Sequence, residues 1–406
     1  MKLKQIQLTG FRNYASQVVS LGDGINLLYG ENAQGKTNVV EAIHLLATGK
    51  SHRTRHLTDM IQQGREGFCI EAVLAYPEYE KTLTLTYDRR NGRGIRVNDV
   101  PRAKWSELLG QLHVLLFSPE TMDVVKGGPS ERRRFLDILL CQIDSRYLRS
   151  LQQYTAILRQ KSSALRDRNG FGQYRDMLPV WNDALAHHAG YIANMRRQVV
   201  ASLEAFANEE LRVLSGGSET LTLQLQTFLS RNDSMETLLQ QDVPAEEAFA
   251  GYLGKKLQRI AAREEQAGAC LTGIHRDEVH FILNDQTAKV FASQGQQRSI
   301  ALSLILAATR LYQQQSGEMP LLLLDDVMSE LDPMRQSHLL RVLEKTQTLI
   351  TTTDRHAYEH RLPDDTKWFH VRGGCVREDT SCFGNRGSRA FRQGAAPFLD
   401  PLGGNG

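Results

Sequence analysis

The chain has 406 residues, of which 41% are apolar and 23% charged, a composition that fits a folded globular enzyme and neither a disordered polymer nor a membrane protein. Its 49 Lys and Arg nearly balance 46 Asp and Glu, for a net charge of +3, so a nucleic-acid surface must come from local placement of basic residues and not from bulk charge. Five scattered cysteines without CxxC spacing exclude a disulfide framework or a zinc site; no run approaches the ~18 apolar residues of a bilayer span, and MKLKQIQLTGFRNY lacks the apolar core of a signal peptide, so the expected location is cytoplasmic, with no membrane partner.

Taken in chain order, Leu3, Ile6 and Leu8 alternate with polar residues as in a strand, and Asp23-Gly24 marks a turn before a buried strand, Ile25 to Tyr29. Val39, Val40, Ile43, Leu45 and Leu46 then recur at helical spacing. From Phe68 to Val100 the period returns to two, which predicts a β-meander. Gly127, Gly128 and Pro129 break the chain, Ser130 is the expected N-cap of a helix from Glu131, and the chain to about Gln266 reads as mostly helical, with breaks at Asn169-Gly170 and Ser215-Gly217 and a strand-like LTLQLQTF after them. The last third returns to an α/β pattern: a strand at Val279 to Leu283, a helix at Ser299 to Gln313, and buried strands at Leu321 to Leu324 and Leu349 to Thr353. Beyond about Arg372 no period remains, and a disordered tail is expected, with Arg377, Arg386, Arg389 and Arg392 available to bind something.

Gly30-Glu31-Asn32-Ala33-Gln34-Gly35-Lys36-Thr37 matches GxxxxGK[ST] between a predicted strand and a predicted helix, the context that lets a glycine loop cradle phosphate. Backbone amides around Gly30 and Gly35 would wrap a β-phosphate, Lys36 would reach the β- and γ-oxygens, and Thr37 would give its hydroxyl to Mg²⁺. Leu321-Leu322-Leu323-Leu324-Asp325-Asp326 is an apolar strand ending in two carboxylates, with Asp325 suited to hold the Mg²⁺ of ATP and Asp326 to polarise the attacking water. The alternative for that segment alone is a solvated acidic turn.

Ala292-Ser293-Gln294-Gly295-Gln296-Gln297-Arg298 opens a predicted helix; alone it reads equally as a polar N-cap. It is close to the SGGQ signature of ABC-type ATPases, and Ser329-Glu330-Leu331-Asp332-Pro333 resembles their D-loop. That likeness implies that Ser293, Gly295 and Gln296 meet the γ-phosphate bound by a second copy, with Ser329 and Asp332 nearby, so that ATP joins two heads. Where transporter ATPases carry a switch histidine, this chain has Thr351-Thr352-Thr353-Asp354; His356 reads as a surface residue.

In that order, and split by a helical insertion, these motifs resemble the head domain of the SMC and RecF group of ABC ATPases. Gly10-Phe11-Arg12-Asn13-Tyr14, Lys50-Ser51-His52-Arg53-Thr54, Phe117-Ser118-Pro119-Glu120, Arg132-Arg133-Arg134-Phe135-Leu136-Asp137 and His275-Arg276-Asp277-Glu278 resemble the RecF branch, from residue 1 to about 371. The implied fold is α/β: an ABC-type P-loop ATPase head, a mixed sheet with an antiparallel β-subdomain, plus an inserted helical lobe. The expected divisions are 1–130 and 267–371 for the head, 131–266 for the lobe and 372–406 for the tail.

The resemblance further implies an ATP-dependent homodimer that binds double-stranded DNA, gap junctions and single-stranded DNA and assists recombinase loading with RecO- and RecR-like mediators. It places Arg12 and Asn13 in the nucleotide pocket. Asp326, where transporters more often have Glu, implies slow hydrolysis, and the resemblance implies a weak ATPase stimulated by DNA. Candidate DNA contacts are Arg53, Arg55, Arg90, Arg93, Arg132 and Arg133, on the reasoning that backbone contacts give affinity without sequence choice. The alternatives are a transporter nucleotide-binding subunit, against which the large lobe and absent switch histidine count, and a non-hydrolysing DNA scaffold.

Overall fold

The alternation at the N terminus sets the first layer. Leu3, Ile6 and Leu8 face inward on β1 (Lys2–Phe11), and β4 (Gly67–Ala75) turns Phe68, Ile70, Ala72 and Leu74 to the same side. With β2 (Tyr14–Ser20), β5 (Glu80–Asp88), β6 (Gly92–Val97) and β7 (Val100–Pro101) they form an antiparallel sheet of order β2-β1-β4-β5-β6-β7. The meander read from Phe68 onward is therefore present. The computed structural model describes residues 1–104, 107–167, 175–230 and 233–380.

The central sheet has the order β15-β14-β3-β13-β12-β8 and is parallel apart from β15. It comprises β3 (Ile25–Tyr29), β8 (Val114–Phe117), β12 (Leu321–Asp325), β13 (Thr348–Thr352), β14 (Lys367–Arg372) and β15 (Cys375–Glu378). Its strands are apolar on both faces because both are covered. Leu28, Leu321, Leu323, Leu349 and Phe369 join one core, with helix α1 (Lys36–Thr48) and the antiparallel sheet. Leu27, Leu322, Leu324, Ile350 and Trp368 join the other, which continues into the helical lobe.

The lobe is built from α2 (Pro129–Ile143), α3 (Ser145–Arg166), α4 (Leu178–Leu214) and α5 (Ala245–Ala267). Most of its core is shared with the head: α6 (Gln294–Ser316) packs along α4, and Ile300 to Ala308 is buried on every side. Helix α2 starts at Pro129 with Gly128 as N-cap, two residues before the expected start, because proline suits the first helical position where its missing N–H is not needed. The break after Leu214 is as expected, while Asn169-Gly170 lies outside the described residues.

The strand expected at Val279 to Leu283 is present, and the reading of the chain beyond Arg372 requires correction. Val279 to Leu283 belongs to β10 (Glu278–Leu283), which pairs with β9 (Leu221–Gln226) of the lobe and with β11 (Gln286–Thr287) in a small antiparallel sheet, and not with the central sheet. The chain past Arg372 does not become featureless at once. β15 returns along β14, Val376 is buried, and Asp379 accepts a 2.5 Å hydrogen bond from Tyr29. Arg377 is exposed on β15; Arg386, Arg389 and Arg392 lie outside the described residues.

Candidate nucleotide site and head surface

The loop between β3 and α1 has the backbone its glycines permit. Gly30 and Gly35 have φ of 151° and 121°, and a Cβ on Gly30 would lie 2.3 Å from the Val371 carbonyl, so only glycine fits. Lys36 is buried and donates to the Gly30 and Glu31 carbonyls at 2.6 and 2.8 Å, bending across the mouth of the loop. Burial holds its ammonium below the usual lysine range, opposed by Asp326 and Asp325. An incoming phosphate would offer Lys36 better acceptors than these carbonyls.

Three strands converge on the far side. β13 lies between β3 and β12, so the two phosphate-loop and acidic strands are not neighbours, and Thr351 at the β13 tip fills the gap. Its hydroxyl donates to Asp325 Oδ1 at 2.7 Å and accepts from the Asp326 amide at 3.0 Å, while Thr37 donates to the same Asp325 oxygen at 3.0 Å. A hydroxyl and a carboxylate so placed fit Mg²⁺, whose remaining positions suit phosphate oxygens and water. Among the described residues no group of three or more His, Cys, Asp or Glu side chains is placed to hold a metal ion. Asp326 has φ of 55°; burial, then Asp325, pushes its carboxyl up.

The loop is braced from behind. Asn13 donates to the Gln34 carbonyl at 2.8 Å and accepts from Asn38 at 2.9 Å, and Tyr14 donates to the Gly35 carbonyl at 2.9 Å. The amides of Gly373 and Gly374 bond Gln34 at 2.7 and 3.1 Å, so the stretch read as tail holds the phosphate loop. All the guanidinium nitrogens of Arg12 donate within the chain, two to Glu41 at 2.7 and 2.8 Å and one to the Asp59 carbonyl. Glu41 is fully buried on α1. Burial would raise its carboxyl, but hydrogen bonds from Arg12 and Ser51 outweigh it and hold the group below the usual carboxylate range. Nothing local in the sequence signals Glu41 or Gly373-Gly374; Thr351 stands out only by its place in the motif order, and its bond to Asp325 arises, like their roles, from contacts distant along the chain.

Ser293 caps α6: its hydroxyl accepts from the Gln296 amide at 3.2 Å, and Gln296 returns a bond from the Ser293 amide. Ser293 and Gln294 of the turn are also exposed, and a Cβ on Gly295 would meet only the Ser293 hydroxyl, at 4.0 Å. The N-cap and signature readings are therefore compatible. Asp332 caps α7 (Pro333–Leu343), while Ser329 donates to the Asp326 carbonyl at 2.9 Å. His356 is 85% exposed, beside Glu359.

The basic candidates divide sharply. Arg132 is buried, pairs with Glu278 at 2.6 Å and bonds the Val124 and Gly127 carbonyls; Arg133 donates to the Asp277 carbonyl and Arg134 to that of Ser51. The expectation that Arg132 faces DNA is overturned, because its guanidinium is buried against Glu278; with half-buried Arg133 on the Asp277 carbonyl it ties α2 to the HRDE segment, while Arg134 reaches the loop after α1. Arg196, fully buried on α4, completes that tie by bonding Asp137, Tyr147, Ile274 and Asp277. Arg53 bonds Asn38 and Glu41. Arg55 and Arg90 are exposed, as is Arg93 on β6.

Residues 2–374 match the model of the RecF/RecN/SMC N-terminal domain. The chain is 38% identical over 377 residues to the DNA replication and repair protein RecF of Staphylococcus haemolyticus, covering 92% of this chain and 99% of that one, and 36% identical over 379 residues to the protein of the same name in Ruminiclostridium cellulolyticum, covering 93% and 99%. A solved structure described as the recombination mediator protein RecF with ATP superimposes with a TM-score of 0.81 at 30% identity, over 93% of this chain and 97% of that one. The SMC head of Pyrococcus furiosus, at 15% identity and a TM-score of 0.54, shares the fold. These matches decide against a transporter subunit, and with the phosphate loop and the split head they establish that the chain belongs to the RecF family of ABC-type ATPases.

Proposed function

We propose that this chain is an ATP-dependent DNA-binding protein of replication and recombinational repair, in which ATP closes two copies head to head. The observation that carries this reading is the coexistence, on one chain, of a preformed phosphate cradle backed by Thr37, Asp325 and Thr351 and an exposed signature turn at Ser293. The loop amides and Lys36 would grip the nucleotide, and Thr37 and Asp325 would hold Mg²⁺, which neutralises charge between the phosphates. Ser293 of a second copy would cap the γ-phosphate. Asp326 would orient water, and its short side chain supports slow turnover. Mediators of the RecO and RecR type fit this reading, since the matched structure is described as part of the RecFOR pathway. Duplex, gapped and single-stranded DNA remain the substrates proposed, met by Arg55, Arg90 and Arg93.

Sizing the protein with and without ATP and Mg²⁺ tests it. The intact chain should shift from monomer to dimer only with nucleotide, and Lys36→Met should stay monomeric; a monomer under all conditions would overturn the reading. Lys36→Arg should also fail, because a planar guanidinium does not replace a compact ammonium in the cradle.

A further inference from the structure

A cleft of about 290 Å³ opens where the head meets the lobe. It is lined by His44 of α1, by His52 of the loop after α1, by Glu120 and Asp123 of the segment joining β8 to α2, and by Glu131 and Arg134 of α2. Leu116, Phe135, Ile138 and Ile305 make its walls apolar. The two histidines meet edge to face with ring centroids 5.4 Å apart, yet their bonding differs. Nδ1 of His44 donates to the Lys50 carbonyl at 3.0 Å. Both ring nitrogens of His52 are buried, and neither has a hydrogen-bond partner among the described residues. Buried polar groups in folded proteins are as a rule paired, so an imidazole open on both sides and lining a cleft marks a place for a guest. Burial holds His52 below the usual histidine range, against the pull of Glu120, Glu41 and Asp325 and with Arg53 adding to it. The ring is therefore neutral near pH 7, with one nitrogen to donate and one to accept.

The charges around the cleft choose the guest. Glu120 and Asp123 are exposed and Glu131 is half-buried, and none of the three has an ion-pair partner among the described residues. Arg134 is the opposing cation in the lining, and it already donates to the Ser51 carbonyl at 3.1 Å. We infer that this cleft binds a small organic cation with a flat apolar body and an N–H group. The body lies between the apolar walls, the N–H meets the bare nitrogen of His52, and the positive end is held by Glu120, Asp123 and Glu131. The volume is near the lower end of the ~300–1,000 Å³ of small-molecule sites, so the guest is small. Such a guest touches α1, which opens with Lys36 and Thr37, and α6, which Ser293 caps, and it holds α2 of the lobe against both. The inference stands apart from the ATP-closed dimer, since every residue it uses belongs to one copy.

The test is calorimetric titration of the full chain at low salt with tryptamine, an indole carrying an ammonium, and with indole-3-acetate, the same body carrying a carboxylate, each repeated with ADP and Mg²⁺. Tryptamine should bind one site at least ~5-fold more tightly than indole-3-acetate, and Glu120→Gln/Asp123→Asn should weaken it at least ~5-fold, as expected for charged hydrogen bonds partly screened by water. Both carboxylates are exposed, so thermal melting of that variant should match wild type. His52→Phe keeps an apolar ring but removes both nitrogens; it should weaken tryptamine about 5-fold and melt no lower than wild type, because it deletes unpaired buried groups. No tryptamine binding, equal binding of the two indoles, or binding that both variants leave unchanged would overturn the site. Tryptamine that ADP displaces and the variants do not affect sits in the phosphate cradle, and that result also overturns it.

Discussion

The Thr37 hydroxyl donates to Asp325 Oδ1 at 3.0 Å, joining the first turn of a helix to the tip of a strand 288 residues later. Asp325 thus meets the phosphate loop before any nucleotide does, and its second donor, Thr351, fixes which way the carboxylate turns. Asp325→Asn keeps the size and one acceptor but removes the charge a divalent cation needs. ATP hydrolysis should fall at least ~100-fold, as for loss of one charge-stabilising group, with nucleotide binding in EDTA little altered. Equal losses with and without Mg²⁺ would place Asp325 in structure and not at the cation.

Asp326→Asn isolates the neighbouring carboxylate. Asparagine tolerates the left-handed backbone at φ 55°, so folding should be preserved while water is no longer polarised. Dimers formed with ATP should persist for far longer than those of wild type on DNA. Dissociation at the wild-type rate, followed by light scattering after dilution, would favour a non-hydrolysing scaffold.

Arg12 shields a fully buried Glu41. Arg12→Ala leaves that carboxylate with Ser51 and Arg53 only, and should cost about 3 kcal/mol of stability by urea titration; Arg12→Ala/Glu41→Gln should recover part of it. A drop in nucleotide affinity with unchanged stability would return Arg12 to the pocket.

Two arginines should separate folding from DNA binding. Arg132→Ala breaks the pair with Glu278, of which the partners are 8% and 12% exposed, and should cost about 3 kcal/mol. Arg55→Ala, at an exposed site, should change stability by less than about 0.5 kcal/mol yet weaken duplex DNA retention and flatten its salt dependence. DNA affinity that Arg55→Ala leaves untouched would move the DNA surface elsewhere.

Buried neutral histidines give a pH signature. Burial lowers His44 to about 3 and His275 to about 4. The unfolded chain takes up protons near pH 6.5 and the folded chain does not until those lower values, so falling pH favours unfolding. At pH 5 the loss is about 2 kcal/mol for each. Urea midpoints at pH 7.5 and 5.0 measure it, and His44→Gln should show a shallower slope from a lower starting stability.

The sequence by itself determined the elements whose evidence is local. The glycine loop sits between a five-residue apolar strand and a periodic helix, Leu321 to Leu324 ends in its two carboxylates, and Phe68 to Val100 alternates; each pattern depends on neighbours within a few positions. Tertiary structure alone decided what the long-range contacts make of them. The RRRFLD arginines looked like a basic patch because three adjacent charges carry no record of Glu278 and Asp277, which lie over 140 residues later and turn two of them inward. Gly373 and Gly374 read as the start of a tail because a short hairpin has no period, yet their amides hold Gln34 of the phosphate loop. β10 read as a head strand because its alternation suits either sheet, and only burial against the lobe selects β9 as its partner. A side chain's type limits the bonds it can make; which of them form depends on what the fold brings within 3 Å of it.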